Sequence, residues 1–409
     1  MKCRHCEHPV DQIFADLGSA PPSNAYLAHE NDALNEAEFP LRVLVCEHCW
    51  LVQTEDFASA DTFFADEYAY FSSYSSSWLE HSKDYVDKMA ERFELNHESL
   101  VVEIAANDGY LLQFVSARNI PCFGVEPTAG TASAARDKGV EIVEEFFGEN
   151  LANDLAKAGR QADLMTANNV LAHVPDINDF VKGFSILLKK TGVATFEFPH
   201  VCELIDKNQF DTIYHEHFSY LSITTVNKIF QANGLQIFDV EKLPTHGGSL
   251  RVYAQRISDS SKPVADSVAR LLKDEHELGV DTAQYYASFN HQAQRIKSSF
   301  VDFLSSAKAD QKKVVGYGAA AKGNTLLNYS GVGKEEIDYV VDRNPEKQGK
   351  LLPGSHIPIV SESLLEINRP DFIVIFPWNL VNEISKQLEY TQKWGAKLVT
   401  FVPEKRIYG

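Results

Sequence analysis

The sequence predicts an α/β protein in three parts: a small cysteine-bearing domain (residues 1–70), a doubly wound, mostly parallel sheet (71–245), and a second α/β domain (246–409). Three observations carry that expectation. Two Cys-x2-Cys pairs lie near the start of the chain. From about residue 100, strand-like and helix-like segments alternate. The same alternation resumes near residue 314, after a long polar helical stretch from about 264 to 308. Such alternation builds a parallel sheet covered by helices on both faces. A chain of 409 residues also exceeds one ordinary core, at roughly 100–200 residues per domain.

Hydrophobic residues make up 44% and charged residues 23%, the profile of a folded globular chain rather than a disordered one. The longest apolar runs have strand length, so no membrane span is expected. The opening MKCRHCEHPVDQ lacks the apolar core of a secretion signal, and cytoplasmic residence is the expectation. With 38 basic and 57 acidic residues the net charge is −19, which repels nucleic acid and anionic membranes. A small-molecule partner is the reading that remains.

Cys3 and Cys6 form the first cysteine pair, Cys46 and Cys49 the second. Both thiolates of a Cys-x2-Cys pair can turn toward one tetrahedral ion, so the two pairs complete a structural zinc shell with no position left for a substrate. A disulfide framework competes with this reading, and a reducing cytosol disfavours it. His5, His8 and His48 lie beside the cysteines, but four thiolates leave no vacancy for them. Cys122 and Cys202 sit in apolar contexts and read as core cysteines.

In the middle part, LVVEIAAN (100–107) runs into the turn Asn107-Asp108-Gly109, and CFGVEP carries Glu126 at the end of the next strand. VEIVEEFF, ADLMTANNV and GVATFEFPH are further strand candidates. Ligands of such sheets bind beyond the carboxyl ends of the strands. Gly109 permits close backbone approach, and Glu126 is placed to accept hydrogen bonds from ribose hydroxyls. That acid also suits a dinucleotide, yet the turn E-I-A-A-N-D-G lacks the glycines of G-x-G-x-x-G. An acidic loop without a pyrophosphate cradle suits S-adenosylmethionine, which is cationic and carries no phosphate. Asn168, Asn169 and His173 follow the fourth strand, and His200 the fifth, where they would line a transfer cleft.

The cysteine pairs, EIAANDGYLLQF, GVEPTAG, ANNVLAHVPD, FEFPH, YHEHFSYLS, THGGSLRVY and VVGYGAAAKGNTLLN occur in this order. Together they resemble the three-domain sugar C-methyltransferase family, whose members methylate C3 of nucleotide-linked 4-keto-6-deoxyhexoses. The resemblance spans essentially the whole chain. It departs at Ala105 and Ala106, where many methyltransferases have glycine, and alanine is small enough to keep cofactor access. It implies a zinc-binding domain, a central class I (Rossmann-like) methyltransferase sheet and a C-terminal Rossmann-like substrate-binding domain. It further implies that Glu103, Ala105, Asn107, Asp108, Gly109, Glu126, Asn168 and Asn169 surround S-adenosylmethionine, with Ser73 and Ser75 near its amino-acid end. Tyr68 and Tyr70 would approach the sugar.

Tyr214-His215-Glu216-His217 concentrates titratable groups between apolar flanks, just after the fifth strand candidate. Carbon C3 of a 4-keto-sugar becomes a nucleophile only after losing a proton to give an enolate. That calls for a base with a pKa near neutrality, which histidine supplies. The resemblance assigns this role to His217. Glu216 would orient an imidazole or bind a sugar substituent, and Tyr214 would hydrogen-bond the ketone oxygen as charge develops. A polar connecting loop, or a metal held by His215 and His217 without a third recognisable ligand, are the competing readings.

In the last third, Gly316-Tyr317-Gly318 with Asp342 imitates a dinucleotide fingerprint, but the third glycine is displaced and Lys322-Gly323 opens the helix. The same geometry would serve a substrate, with helix N-terminal amides and Lys322 facing a nucleotide diphosphate. Asn324 lies on the same helix. Thr245-His246-Gly247-Gly248-Ser249 and Arg251 would form the opposite wall, and the resemblance points to a dTDP-sugar. Two other functions stay open on the residues: a nicotinamide-dependent nucleotide-sugar oxidoreductase using the C-terminal turn, and a non-catalytic zinc-domain adaptor.

Overall fold

The computed structural model describes residues 1–57 and 71–408. Each Cys-x2-Cys pair folds into the same tight turn. The Glu7 amide donates to the Cys3 carbonyl at 3.0 Å and the Trp50 amide to the Cys46 carbonyl at 2.8 Å. Glu7 and Trp50 both take left-handed backbone, with φ of 59° and 68°. The two turns face each other and bring all four thiol sulfurs within 4.8 Å of one another. None of the four is in a disulfide. Sulfur separations of 3.5 Å for Cys3–Cys49 and 3.6 Å for Cys6–Cys46 lie close to the roughly 3.8 Å edge of a tetrahedron with Zn–S bonds of about 2.3 Å. The donor set therefore fits zinc. It sits on an antiparallel sheet of β1 (Gln12–Ala20), β2 (Phe39–Val45) and β3 (Val52–Thr54).

The central sheet starts with β4 (Val101–Ile104), buried on both faces as an apolar strand in the middle of a parallel sheet must be. It continues with β5 (Cys122–Val125), β6 (Ile142–Val143), β7 (Ala162–Asn168) and β8 (Leu188–Pro199), each parallel to its neighbour. The expected strand VEIVEEFF shrinks to β6, because this is the sheet edge and Glu144, Glu145 and Phe146 face solvent. Next in the chain, β9 (Ser219–Tyr220) leaves the central sheet and pairs with β3 of the cysteine module. The antiparallel hairpin β10 (Leu235–Leu243) and β11 (Ser249–Arg256) then closes the sheet in the order β10-β11-β8-β7-β4-β5-β6. The central sheet thus runs past the boundary expected at 245, and Ser249 and Arg251 belong to it.

Helices cover both faces, and their starts are capped locally. Ser75 accepts the Trp78 amide at the head of the helix Ser76–Arg92, which buries Tyr85, Val86 and Met89 against one face. Asp176 accepts the amides of Asn178 and Asp179 to start Ile177–Leu187, whose Phe180 and Phe184 pack with Phe196 and Phe230 on the other.

The C-terminal sheet contains β12 (Val314–Tyr317), β13 (Val340–Val341), β14 (Ile359–Val360), β15 (Phe372–Ile375), β16 (Lys397–Thr400) and β17 (Arg406–Tyr408), ordered β14-β13-β12-β15-β16-β17. All are parallel except β17. The long polar stretch splits into Asp266–Leu278, Ala283–Tyr286 and Phe289–Ala309. The last of these ties the ends of the molecule together, stacking Phe289 on Phe14 of β1 at 4.3 Å and placing Phe300 4.7 Å from Phe401.

Protein purified without added metal is expected to carry about one zinc per chain by elemental analysis. Cys46→Ser should lose that metal and unfold at a lower temperature; full stoichiometry in the variant would exclude the four-thiolate site.

Candidate active site

Past β8 the chain forms the helix Val201–Asp206, then the turn Phe210–Thr212, then Tyr214–His217, and enters β9. The cysteine module clamps this loop from behind. His215 Nε2 donates to the carbonyls of Phe39 and Pro40, at 3.1 and 3.3 Å. The Thr54 hydroxyl donates to the His217 carbonyl, and Asn24 Nδ2 to Glu216 Oε1 at 3.1 Å.

His217, partly exposed, faces the cleft. Its Nδ1 lies 2.8 Å from the Thr212 carbonyl. A carbonyl only accepts, so Nδ1 carries the proton and the lone pair is on Nε2. Burial, then the neighbouring His173, hold the pKa well below the usual 6.5, so the ring is neutral at pH 7. His173 stands edge-on at 4.6 Å between ring centres, and burial pushes it down to about 4 against its hydrogen bond to the Glu216 carbonyl. The Tyr214 ring lies 3.9 Å from that of His217. His246, on left-handed backbone (φ 54°) and edge-on to Trp78, is likewise held at about 4, by burial and then by the charge of Lys322.

The C-terminal domain closes the cleft. Its strand order reverses between the parallel strands β12 and β15, the switch point where doubly wound sheets take ligands. Lys322 lies in the first turn of the helix Ala321–Ser330, which follows β12. It donates to Asn379 at 2.9 Å and stands 4.5 Å from the centre of the Trp378 ring. Trp378 Nε1 donates to Asp211 Oδ2 at 2.7 Å. Burial raises Asp211 to about 7 and lowers Lys322 to about 8. Among the described residues, Asp211 Oδ1, Asn169 Oδ1, Glu216 Oε2 and His246 Nδ1 are buried with no hydrogen-bond partner. Buried polar atoms are normally paired, so each is open to a polar ligand.

At the other end of the cleft, Glu126 receives the Asn107 amide at 2.9 Å and the Thr128 amide at 3.0 Å. Ala105, Asn107 and Gly109 all take positive φ, folding the loop over the end of β4. At Gly109 a Cβ would press on Ala135 at 3.2 Å. Ser72 and Ser73 donate their amides to the side chains of Asn107 and Asp108, and Lys138 pins Asp108 (3.1 Å) to the Ser73 hydroxyl (2.6 Å). Glu103 lies under the loop, its carboxyl driven well above the usual range by burial and opposed by a Tyr110 hydrogen bond. An acid at the end of β5, beside a loop with no pyrophosphate cradle, fits S-adenosylmethionine.

Models of known families match in succession along the chain: a zinc binding domain over residues 3–64, a methyltransferase domain over 77–240 and a C-methyltransferase C-terminal domain over 244–403. The C-methyltransferase NovU of Streptomyces niveus is 34% identical over 406 residues, covering 99% of this chain and 96% of NovU. The chain belongs to this C-methyltransferase family. Solved methyltransferase structures overlap less of it. An S-adenosylmethionine-dependent enzyme from Clostridium acetobutylicum is 13% identical, covering 44% of this chain and 92% of its own, at a TM-score of 0.35. Magnesium protoporphyrin IX methyltransferase from Synechocystis, with bound S-adenosylhomocysteine, is 15% identical over 44% of this chain and 83% of its own, at a TM-score of 0.36. The C-methyltransferase takes S-adenosylmethionine as its methyl donor. Among the described residues, no helix is long and apolar enough to cross a membrane.

Of the residues expected in the C-methyltransferase site, His217, Tyr214, His173, His246 and Lys322 converge on one cleft, with Glu216 behind them. Three expected substrate contacts do not join them. Arg251, 3% exposed, pairs with Glu197 at 2.9 Å across β8 and β11. The Ser249 hydroxyl donates to the Thr245 carbonyl and closes its own turn. Asn324, with no exposed surface, donates to the Ser23 carbonyl at 2.6 Å and fastens the cysteine module to the C-terminal domain. Gly247 is wedged between Gln209 and Trp378, where a Cβ would come within 2.7 Å of either side chain. His200 is buried against Glu275 at 2.7 Å, away from the cleft. The Ser75 hydroxyl caps its helix. Tyr68 and Tyr70 lie outside the described residues. Sequence reasoning missed Asp211 and Trp378; a Trp ending the apolar run DFIVIFPW was the available signal.

The depressed imidazoles set a pH dependence. His173 and His246 titrate near 6.5 when unfolded and near 4 when folded, so below pH 6.5 the unfolded chain takes up protons that the folded site refuses. Stability should be flat above pH 7 and fall from pH 6.5 toward 4, by about 1 kcal/mol per imidazole at pH 5.5. Denaturant titrations at pH 7.5 and 5.5 measure this, and His246→Gln should lose less between them than the wild type. An equal loss would place His246 in water.

Proposed function

We propose that the enzyme methylates C3 of a dTDP-linked 4-keto-6-deoxyhexose, a step in making a branched deoxysugar, and that His217 is the base. The observation that carries this reading is the Thr212 carbonyl on His217 Nδ1, which leaves a neutral Nε2 lone pair facing the cleft. An O-methyltransferase acts on a hydroxyl and has no carbon acid to ionise. Next to a ketone, the C3–H pair passes into an enolate while His217 Nε2 takes the proton. The Tyr214 hydroxyl, carried 3.9 Å ring to ring from His217, is the donor within reach of the ketone oxygen as it becomes negative. Asn107, Asp108 and Glu126 would hold S-adenosylmethionine, which when bound would supply an electrophilic methyl on sulfur to the C3 carbanion, the S–CH3 electron pair staying with sulfur. Lys322 and the amides opening its helix would take the nucleotide diphosphate.

The C-terminal turn supports a substrate role over a nicotinamide one. Asp342, placed where a dinucleotide fold holds its ribose, accepts the amides of Ala319 and Asn344, both at 2.8 Å. The Tyr26 hydroxyl of the cysteine module and Lys347 both donate to the Ala319 carbonyl, covering the turn. We place the enzyme in the cytoplasm, where a reducing poise keeps four thiolates available to zinc.

Two measurements test the reading. Calorimetry should show binding of S-adenosylhomocysteine and none of NAD(H) or NADP(H); the reverse pattern would make the enzyme an oxidoreductase, and binding of neither an adaptor. His217→Asn should lower turnover about 10²-fold or more with cofactor affinity unchanged, the usual scale for loss of a general base. His215→Asn, which keeps a donor toward the Phe39 and Pro40 carbonyls, should be milder. Wild-type turnover in His217→Asn would move the base elsewhere.

A further inference from the structure

The His217 tautomer depends on where the Thr212 carbonyl points, and Thr212 lies in a turn that the C-terminal domain grips on both sides. On one side, Trp378 Nε1, from the loop after β15, donates to Asp211 Oδ2 at 2.7 Å. On the other, the Thr325 hydroxyl of the helix Ala321–Ser330 donates to the Ile213 carbonyl at 2.8 Å. Between them, the Thr212 hydroxyl folds back on the Gln209 carbonyl at 2.7 Å, while its own carbonyl takes the His217 proton. Asp211 is 1% exposed, and its second oxygen finds no partner among the described residues. Burying such a carboxyl is costly unless something is gained from holding it there. The indole that holds it also lies beneath Lys322.

We infer that Asp211 and Trp378 are positioning residues for the base: their hydrogen bond lets the C-terminal domain hold the Phe210–Thr212 turn so that His217 keeps its proton on Nδ1 and its lone pair on Nε2. Neither residue touches the reacting carbon in this account. The bond joins the domain that would receive the nucleotide to the neighbour of Thr212, whose carbonyl sets the tautomer. Asp211 needs only to accept, so its charge is dispensable, whereas the indole N–H is not. The inference rests on His217 being the base, but its test reads the imidazole directly.

The experiment uses the full chain labelled with 15N-histidine and saturated with S-adenosylhomocysteine, with His217 assigned by its disappearance in His217→Asn. In the wild type, long-range 1H–15N spectra should show His217 as a single Nδ1–H tautomer. Trp378→Phe keeps the ring and removes the donor, and should shift both His217 nitrogens toward the averaged values of mixed tautomers. Asp211→Ala should do the same from the other side of the bond, while Asp211→Asn, which still accepts, should retain the wild-type signals. Thermal unfolding and S-adenosylhomocysteine binding of each variant check that the fold survives. With the keto-sugar, Trp378→Phe and Asp211→Ala should each lower kcat about 10-fold or more, the scale of a slightly misplaced group, without changing KM for S-adenosylmethionine, and the double variant should be no worse. Unchanged His217 signals in both Trp378→Phe and Asp211→Ala would overturn the inference, as would averaging in Asp211→Asn equal to that in Asp211→Ala. Should His217→Asn stay active, the base assignment falls while the tautomer measurement still stands or falls by itself.

Discussion

The hydrogen bond from His217 Nδ1 to the Thr212 carbonyl is the constraint on which the site depends. An imidazole can remove a proton from carbon only if it is neutral and presents its lone pair, and this bond puts the His217 proton on Nδ1 and its lone pair on Nε2. All three parts of the chain serve it. The central sheet delivers the loop from the carboxyl end of β8. The C-terminal domain holds the turn that contains Thr212. The zinc-binding module takes the loop up as β9, paired with β3, and receives His215 on the first two carbonyls of β2. The module that carries the four cysteines thereby holds the loop on which His217 sits.

The site is assembled against the local preference of its groups. Three imidazoles are held below their usual range, a carboxyl is raised to about 7 and an ammonium is lowered to about 8. Each shift means the folded state gives up charge solvation that the unfolded chain keeps. The offset comes from the apolar interior, to which the helix Phe289–Ala309 contributes aromatic contacts with Phe14 and Phe401. Behind the cleft, burial works to raise Glu197, but the His81 hydrogen bond and the Arg251 charge hold it below the usual range. That pair joins β8 to β11, and removing one member would strand the other in a dry interior.

What could be read from the sequence was local or periodic. The two cysteine pairs announce a shared metal because the spacing itself builds the turn. LVVEI announces a central parallel strand because, Glu103 apart, its run is apolar without alternation. The family was legible through the order of the motifs, Tyr214–His217 among them, while the His217 tautomer was not, since it depends on a backbone carbonyl. Ser249 and Arg251 looked like a substrate wall because they adjoin two glycines. Sequence neighbourhood does not say which way a side chain points, and every residue from Ser249 to Gln255 is buried in the sheet. Asn324 misled in the same way, lying near Lys322 but turned toward Ser23. Asp211 and Trp378 were invisible, since their pairing joins residues 167 positions apart.

The central claim is that one loop histidine ionises a carbon before that carbon is methylated. It is tested most directly with a keto-sugar deuterated at C3, following deuterium release to water and methyl gain together by NMR. The account predicts one deuterium released for each methyl joined to C3 in the wild type, and loss of both processes in His217→Asn. A methyl found on oxygen with C3 deuterium retained, or release and transfer at wild-type rates in His217→Asn, would contradict it.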